Sequence, residues 1–380
     1  MHLILSTFFY LTYMVIMFLT LNRRFRKKNK KNTIYFIVII SLFFLLKKLG
    51  LDYEMYVELY NELDIARTYN FKIEFIPYLF MYIPKQYNLP PNLFFFIIGT
   101  ITVVLNYKVF KNYNNLLLSL FFLFFLFFFR GFSDAMRQLL AASFILYGIY
   151  SIQIEEKTFK SGVLFILALL SHYSSIIIIP VYFLIKLLVR IKIQVNLQIY
   201  ILAIVFIIMI SQIINFIIQG LSGIPHGTFE NPYIDMIVFK LVYYLVYYQQ
   251  EGYTYENSLH KVLWYLLMFL PEIGSIMLTS YLIKIKAYYG MDRFLRYLLL
   301  LSILGNLIFI MFSSIGLFTM AARISLTLTL GSYLLLSYIS LEIKNRKFYN
   351  FILLYYLFCN IIILIYNIQP FNPTSPAYIL

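Results

Sequence analysis

The chain has 380 residues and a net charge of +15, and 62% of its residues are hydrophobic, with a mean hydropathy of +0.81. Soluble domains are about 45–50% apolar, and the recurring hydrophobic stretches of about 17 or more residues are typical of membrane-crossing helices. The composition therefore excludes a soluble globular protein and predicts an all-α, polytopic transmembrane helical bundle. Most of the positive charge lies in short loops between hydrophobic segments, so it indicates membrane topology, and nucleic acid is not expected as a partner.

The first two segments orient the chain. Residues 2–21 are predicted to form a helix that is retained, because no basic stretch precedes them and no small-residue cleavage site follows them. Residues 22–32, NRRFRKKNKKN, hold seven Lys or Arg and no acid. They are therefore predicted to be cytoplasmic, which places the N-terminus outside. The same rule assigns four further basic segments to the inside, at 108–115, 186–192, 284–293 and 342–347.

The hydrophobic pattern predicts about twelve crossings in a single integral membrane domain over residues 1–380, with both termini outside. The predicted helices lie near residues 2–21, 33–49, 88–108, 116–130, 136–154, 158–172, 174–190, 196–219, 261–283, 294–312, 320–341 and 348–367. Residues 74–87 are apolar but contain Pro77 and Pro84, so we predict a re-entrant or interfacial piece there. Residues 158–190 are predicted to form a hairpin that turns outside near His172, with a kink or break at Pro180.

Two long loops carry most of the acidic residues. Residues 50–74 and 220–260 contain ten of the sixteen Asp and Glu, and the predicted topology places both loops outside. The segment 232–250 has tyrosines at helical spacing, which indicates either an interfacial helix with a tyrosine belt or a wall for sugar rings.

The single cysteine, Cys359, lies in an apolar run, which excludes an intramolecular disulfide and a cysteine-based metal site. No metal or cofactor is expected.

Three charges interrupt the apolar sequence FFFRGFSDAMRQLLAASF (127–144). Arg137 opens a predicted helix, and an arginine costs roughly 2.5–3.5 kcal/mol at the centre of a membrane helix and less near the interface. Guanidinium groups bind phosphate oxygens two at a time, and a helix N-terminus adds a favourable dipole. Arg137 and Arg130 therefore predict an anion site, with phosphate as the leading candidate, at the outer surface. In the alternative structural interpretation, Arg130 snorkels and Arg137 pairs with Asp134.

Four motifs follow one another along the chain. GLDYEMYVELY (50–60) contains a Gly-x-Asp-Tyr-x-x-Tyr pattern, and an acidic residue, Glu74, precedes the next apolar segment. The Arg137-Gln138 pair opens a helix, and ALLSHYSSIIIIPVYF (168–183) contains an Ala-x-x-x-His-x-Ser pattern before an apolar run with proline. Near the end, Arg323 lies in TMAARISL at a matching outer position. This order resembles the EpsG/Wzy family of bacterial polysaccharide polymerases, most clearly over about residues 50–185.

The resemblance implies a GT-C-like, metal-independent glycosyltransferase. It would join undecaprenyl-diphosphate-linked oligosaccharide repeat units of an O-antigen or exopolysaccharide. The reaction would take place at the outer (periplasmic) face of the bacterial cytoplasmic (inner) membrane. The implied partners are that lipid-linked substrate, membrane lipid and, as a further candidate, a chain-length regulator. The positions that match the motifs or lie beside them predict contacts to the glycan at Tyr53, Tyr56, Gln138 and Asp134.

The chemistry of such a transfer suggests roles for the charged residues. Arginines can stabilise the negative charge that develops as the bond to the diphosphate breaks, and the candidates, in order, are Arg137, Arg323 and Arg130. The acceptor hydroxyl needs a base, and His172 fits as that base or as a phosphate donor. In the alternative structural interpretation, the side chain of His172 is hydrogen-bonded to the backbone at a helix turn. Asp52 is the rival base, followed by Glu74, whereas Asp134 is expected to orient Arg137.

Other functions remain open. A lipid-linked oligosaccharide flippase or transporter needs similar cations, although charge clustered at one face and the lack of a strong internal repeat favour an enzyme. An O-antigen ligase would use the same kind of transfer, and a membrane acyltransferase would use a histidine base. Glu272, which follows Pro271 within a predicted helix, is a further functional candidate. In the alternative interpretation Glu272 is structural. Pro271 leaves backbone carbonyls without a hydrogen-bond donor, and Glu272 and water help to accommodate them.

Overall fold

The computed structural model describes residues 51–63, 74–113, 136–190, 196–222 and 258–315, together with short stretches between 321 and 359. Within these residues the regular structure is helical and no strand occurs. The predicted all-α class is therefore confirmed for the described part of the chain.

The helices are bounded as follows: α1 Leu51–Glu62, α2 Phe75–Gln86, α3 Asn92–Phe110, α4 Met136–Gln153, α5 Thr158–Ser171, α6 Ile178–Arg190, α7 Leu197–Ser222, α8 Ser258–Lys284 and α9 Arg293–Ser314. Two 3₁₀ turns, Tyr173–Ile177 and Ala287–Tyr289, precede α6 and α9. Most of the described residues beyond 320 are also helical.

Helices α3 to α9 correspond to seven of the predicted crossings, with ends that agree within a few residues. Among the described residues, Asn92–Phe110, Leu197–Ile214 and Arg293–Ser314 are long and apolar enough to cross a membrane. The chain is thus a helical membrane protein. The helices predicted near 2–21, 33–49 and 116–130 lie outside the described residues, as do the basic segment 22–32 and the tyrosine segment 232–250.

The region expected to be an outer loop, residues 50–74, contains a helix. In α1, Tyr56 and Tyr60 recur at a spacing of four and are 2% and 4% exposed, whereas Glu58 and Glu62 on the other face are exposed. The hydroxyl of Tyr60 donates to the Leu89 carbonyl at 2.5 Å. The sequence did not predict this helix, because the high content of acids obscured an amphipathic pattern whose buried face is made of tyrosines.

Helix α2 occupies the stretch that was predicted to be re-entrant or interfacial. Its twelve residues span about 18 Å at 1.5 Å per residue, which is less than the hydrocarbon core of a bilayer. Pro84 lies in its last turn, and the carbonyl of Pro84 accepts the N–H of Leu89 at 3.0 Å. The length of α2 therefore agrees with a piece that does not cross the membrane.

Helices α3 and α4 lie side by side and run in the same direction. Asn106 donates to the Ser143 hydroxyl at 2.7 Å, and just past the end of α3 Asn112 donates to the Tyr150 hydroxyl, further along α4, at 2.5 Å. A parallel pair is what the predicted topology requires, because it places the segments that follow both helices on the cytoplasmic side.

Helix α5 returns antiparallel to α4 and packs closely against it. The Ser161 hydroxyl donates to the Gly148 carbonyl at 2.9 Å. A Cβ atom at Gly148 would lie 2.9 Å from the Phe165 ring, so the absence of a side chain permits this approach. The α4–α5 pair is the most extensive helix contact in the described bundle.

Among the described residues, the turns after α3 and α4 and the turn before α9, all predicted to be cytoplasmic, gather at one end of the bundle. Tyr113, after α3, donates to Asp292 at 3.2 Å, just before α9. Near the end of α4, the Tyr150 ring meets Phe294 edge-on at 5.2 Å. The other end brings together α1, the start of α2, the start of α4 and the α5–α6 turn, which are the pieces that the sequence assigned to the outside.

Candidate functional site

Four side chains from four separate elements meet at the end of the bundle that the sequence predicts to be outer. Tyr56 lies in the middle of α1, Glu74 is the N-cap of α2, Arg137 is the second residue of α4 and His172 is the C-cap of α5. The contacts that join them span 63 to 98 residues of sequence. We refer to these four residues as the charge cluster.

Glu74 is the centre of the charge cluster. Its Oε2 accepts a hydrogen bond from Nη1 of Arg137, and its Oε1 lies 2.8 Å from Nδ1 of His172. The carboxylate is buried, whereas the side chains of Arg137 and His172 are each 23% exposed. Both partners can therefore reach a ligand from outside while Glu74 holds them from behind.

Tyr56 supports the guanidinium from α1. Nε of Arg137 donates to the Tyr56 hydroxyl at 2.6 Å, and the guanidinium carbon lies 5.5 Å from the centre of the Tyr56 ring. The ring itself is fixed by Phe94 at 5.4 Å and Phe95 at 6.0 Å, at the start of α3. An arginine held by a ring and by a hydroxyl has lost much of its side-chain freedom before any ligand arrives.

The guanidinium keeps hydrogen-bonding capacity for a ligand. An arginine carries five N–H donors. Tyr56 and Glu74 engage two of them, and within the described residues no other acceptor contacts Arg137. Arg137 also lies in the first turn of α4, where the positive end of the helix dipole favours an anion. The remaining donors suit the oxygens of a phosphate group.

Burial by itself would raise the pKa of Glu74, but the hydrogen bond from His172 and the positive charge of Arg137 outweigh it and lower the pKa to about 2. Its position at the N-terminus of α2 also favours the charged form. Glu74 is therefore ionised at neutral pH. A carboxylate with such a low pKa is a weak proton acceptor, so the geometry suits a positioning role better than the general base considered from the sequence.

The orientation of His172 follows from its partner. Since the ionised Glu74 can only accept, Nδ1 of His172 carries a proton and donates to Oε1. In the neutral ring Nε2 then has the lone pair, on the side of the imidazole away from Glu74. This tautomer is assigned from the hydrogen bond, and it is the one required of a base that acts through Nε2.

The chain changes direction at His172, within the Ala-x-x-x-His-x-Ser motif. The N–H of His172 donates to the Ala168 carbonyl at 3.0 Å, which closes the last turn of α5, and the backbone of His172 is extended. Its carbonyl then accepts the N–H of Ser175 at 3.0 Å in the 3₁₀ turn. The chain thus breaks at His172, as the hairpin prediction required, and Pro180 falls in the first turn of α6, where its missing N–H is harmless.

The other predicted site residues are distributed as follows. Gln138, next to Arg137, is 2% exposed within α4, which leaves little room for direct contact with a glycan. Asp52 and Tyr53 belong to the first turn of α1, one turn before Tyr56. Three predicted residues lie outside the described part of the chain: Arg130, Asp134 and Arg323. The expected pairing of Asp134 with Arg137 therefore stays a prediction, and the partner that the structure provides for Arg137 is Glu74.

The sequence did not reveal that Glu74 would bridge Arg137 and His172. Each of the three residues belonged to its own motif, and nothing in the spacing of motifs 63 and 98 residues apart predicts a shared hydrogen bond. The available signal was that Glu74 is an isolated acid before an apolar helix, since such an acid needs a cationic partner when it becomes buried.

Glu272 is a second buried carboxylate, on α8. It is 1% exposed and accepts a hydrogen bond from the Ser325 hydroxyl at 2.8 Å. One to two turns further along α8, Thr279 accepts a hydrogen bond from the amide of Asn306 on α9 at 3.0 Å. The same amide donates to the hydroxyl of Tyr200 on α7 at 3.1 Å. These contacts join α7, α8 and α9 through polar groups. Both roles considered for Glu272, functional and beside the carbonyls that Pro271 leaves free, stay predictions.

The sequence matches the EpsG family over residues 45–376. Comparison with curated proteins and with solved structures found no match. The family match confirms the resemblance inferred from the motifs, and it extends that resemblance from about residues 50–185 to most of the chain.

Proposed function

The chain belongs to the EpsG family, and from this premise we propose that it is a polysaccharide polymerase of the cytoplasmic membrane. It transfers a growing glycan from its undecaprenyl diphosphate carrier onto the terminal sugar of an incoming lipid-linked repeat unit, at the outer face. The observation that carries the proposal is the charge cluster, in which one buried carboxylate positions an arginine and a histidine that are both partly exposed.

Arg137 binds the diphosphate of the donor. During transfer the bond between the sugar carbon and the phosphate oxygen breaks, and its electron pair goes to that oxygen. The free donors of Arg137 stabilise the negative charge that develops there, and they are already oriented by Tyr56 and Glu74. Since a fixed guanidinium supplies the positive charge, the proposed reaction is independent of a metal ion.

His172 acts as the base for the acceptor. Nε2 takes the proton from the attacking sugar hydroxyl as the new carbon–oxygen bond forms, and the ring becomes an imidazolium. Glu74, hydrogen-bonded to Nδ1, stabilises that cation without taking its proton, because its pKa of about 2 is too low. Tyr56 and Glu74 are positioning residues in this scheme.

The proposed fold class is GT-C-like, with about twelve crossings and the charge cluster facing the periplasm or exterior. The meeting of Tyr56, Glu74, Arg137 and His172 at one end supports this orientation, because the predicted cytoplasmic turns meet at the opposite end. A flippase would need its cations along a path through the membrane. A ligase would perform the same transfer on a different acceptor.

The test uses the purified full-length chain in vesicles with a lipid-diphosphate-linked repeat unit and a chelator. The expected product is a ladder of chain lengths, and its loss under chelation would contradict metal independence. Arg137→Ala should abolish the ladder. Arg296→Ala is the matched control, because that guanidinium donates to the Met291 carbonyl at 2.9 Å, beside the start of α9 at the opposite end of the bundle. Wild-type chain lengths from Arg137→Ala would remove Arg137 from the site.

A deletion strain separates the related functions. Loss of a polymerase leaves single repeat units on the carrier or on their final anchor. Loss of a ligase leaves long chains on the carrier, and loss of a flippase leaves the unit on the cytoplasmic side. Either of the last two results would refute the proposed activity.

A further inference from the structure

A groove of about 180 Å³ lies between α4, α5 and α6. Ala168 and Ser175, on either side of His172 in the sequence, line one end of it, and Thr158 and Lys186 line the other. The rise of α5 from Thr158 to Ala168, at 1.5 Å per residue, gives it a length of about 15 Å. One end of the groove thus lies within about one helical turn of His172, and the groove runs from there along the helices.

The walls of the groove are mainly apolar. Ile145 of α4, Phe165 of α5 and Phe183 of α6 face it. Phe183 is 59% exposed, and Ile166 and Leu187 nearby are 57% and 52% exposed. In a helical membrane protein such apolar side chains face lipid, so the groove opens toward the bilayer along its length.

Gly162 indicates that the groove is unfilled space. A Cβ atom at Gly162 would meet nothing within 4 Å, whereas a Cβ at Gly148, Gly305 or Gly331 would lie 2.9, 2.8 or 2.5 Å from a neighbour. Alanine stabilises a helix interior relative to glycine, so helix formation does not explain a glycine here. The absence of a side chain keeps this part of the groove open.

Ser175 adds a polar group at the end next to His172. Its side chain is buried, with the residue 2% exposed, and its hydroxyl meets no hydrogen-bond partner among the described residues. A buried hydroxyl without a partner is destabilising, and a ligand that brings an oxygen to this position removes the cost. The groove therefore offers a polar contact beside the charge cluster and an apolar channel beyond it.

We propose that this groove binds the first isoprene unit of the polyprenyl carrier, while the charge cluster binds the diphosphate. This inference rests on the proposed function. In a polyprenyl diphosphate the hydrocarbon begins directly at the phosphate ester oxygen, and the groove begins within one helical turn of His172. A glycerophospholipid places a polar glycerol and ester groups between phosphate and chain, so its hydrocarbon does not reach this position.

The size of the groove sets how much of the carrier it holds. An apolar cavity of about 150 Å³ suffices for a benzene ring. The groove, at about 180 Å³, therefore encloses roughly one five-carbon isoprene unit, and the rest of the chain lies along the lipid-facing surfaces of α5 and α6. A carrier bound in this way is fixed at its reacting end and free at its tail.

The experiment measures carrier binding without turnover. The full-length protein in nanodiscs is crosslinked to a diazirine-bearing polyprenyl phosphate, and the crosslinked peptide is mapped. The label should fall on the groove walls of α4 to α6, and decaprenyl phosphate should compete while phosphatidylglycerol should not. Label that maps elsewhere on the wild-type chain, or equal competition by phosphatidylglycerol, overturns the proposal.

A plugged variant supplies a second, independent test. Gly162→Phe places a ring in the open space and should lower crosslinking by at least about tenfold, the scale expected from losing the burial of a five-carbon unit. Val163→Phe, at a neighbouring position that is 41% exposed, is the matched control and should crosslink like the wild type. Wild-type labelling of a folded Gly162→Phe protein refutes the groove.

The outcomes also separate this inference from the proposed function. Polymerisation that requires Arg137 but is insensitive to Gly162→Phe would leave the activity standing and remove the groove. Crosslinking in the groove by a protein that forms no polymer from lipid-linked units would retain the polyprenyl site and refute the polymerase.

Discussion

Glu74→Gln is the substitution that separates positioning from general base catalysis. The two oxygens of Glu74 accept from different residues, Arg137 on one side and His172 on the other. A glutamine has one accepting oxygen and one NH₂ group. If the glutamine oxygen faces His172, its NH₂ group faces an N–H of Arg137, so two donors meet and that hydrogen bond is lost. With its oxygen toward Arg137, the NH₂ forces Nδ1 of His172 to accept, so the proton moves to Nε2 and the proposed base is lost.

The magnitude follows from the depressed pKa. The surroundings of Glu74 lower its pKa from 4.5 to about 2, and each pKa unit corresponds to about 1.4 kcal/mol, so they favour the ionised carboxylate by about 3 kcal/mol. Arg137 contributes to this lowering as well as His172. The part expressed when His172 becomes an imidazolium is therefore smaller, and loss of the carboxylate should lower kcat by up to about 10²-fold. The effect on KM should be smaller, because Arg137 and its remaining donors are still present.

The assay is the rate of chain extension in proteoliposomes, with kcat and KM determined separately. Glu155→Gln is the matched control: Glu155 also pairs with a cation, Lys160 at 2.6 Å, but in the turn after α4. It should retain wild-type kinetics. A Glu74→Gln enzyme with unchanged kcat would refute the assignment of His172 as a base oriented by Glu74.

The same residue predicts a dependence of stability on pH. Because the pKa of Glu74 is lowered on folding, its ionised form stabilises the folded state fully above the unfolded value near 4.5, and this stabilisation is lost as the pH falls toward about 2. The melting temperature of the wild type should therefore decline over that window. The decline should be smaller in Glu74→Gln, and parallel curves for the two proteins would count against the ion pair.

Three further outcomes follow from the same geometry. Arg137→Lys keeps the charge but loses the planar fork, so kcat/KM should fall by at least about tenfold, whereas near-wild-type activity would show that charge alone suffices. Tyr56→Phe removes one hydrogen bond of about 1 kcal/mol and keeps the ring under the guanidinium, so a loss of only about fivefold is expected, and an inactive enzyme would indicate a direct role for the hydroxyl. In a background without Cys359, Tyr173→Cys beside the charge cluster should label from outside and Phe159→Cys at the other end from inside; the reverse pattern would invert the topology.

The sequence predicted the long apolar helices well and the short amphipathic one poorly. Helices such as α7 and α9 are specified by hydrophobic length alone, which a membrane imposes on each segment separately. Helix α1 is specified by what it docks against: Phe94 of α3 packs on the ring of Tyr56, and the Leu89 carbonyl, between α2 and α3, accepts from the hydroxyl of Tyr60. Such tertiary contacts leave a weak trace in the local pattern, which is why residues 50–74 were predicted to be a loop.

The same distinction holds for the charge cluster. Arg137 could be singled out because an arginine at the edge of an apolar helix is costly, and His172 because it interrupts an apolar hairpin. The partner of both, Glu74, could not be identified, since the bridge requires the starts of α2 and α4 and the end of α5 to lie within hydrogen-bonding distance of one another. Tyr56 was predicted to contact sugar, and the structure gives it a different contact, beneath the guanidinium of Arg137.

The arrangement of exposure in the charge cluster favours the proposed functional site over a purely structural ion pair. Removing one partner from a buried charge typically costs 3–5 kcal/mol, so Glu74 ties α2 to both α4 and α5 whatever else it does. A purely structural bridge, however, gains most when all of its charges are sealed and satisfied. Here the anion is buried and the two groups that it holds reach the surface, Arg137 with donors that no described residue engages and His172 with Nε2 directed away from its partner. The ligands of the proposed reaction match this arrangement, because a lipid diphosphate would bring negative oxygen to Arg137 and a sugar hydroxyl would bring a proton to His172.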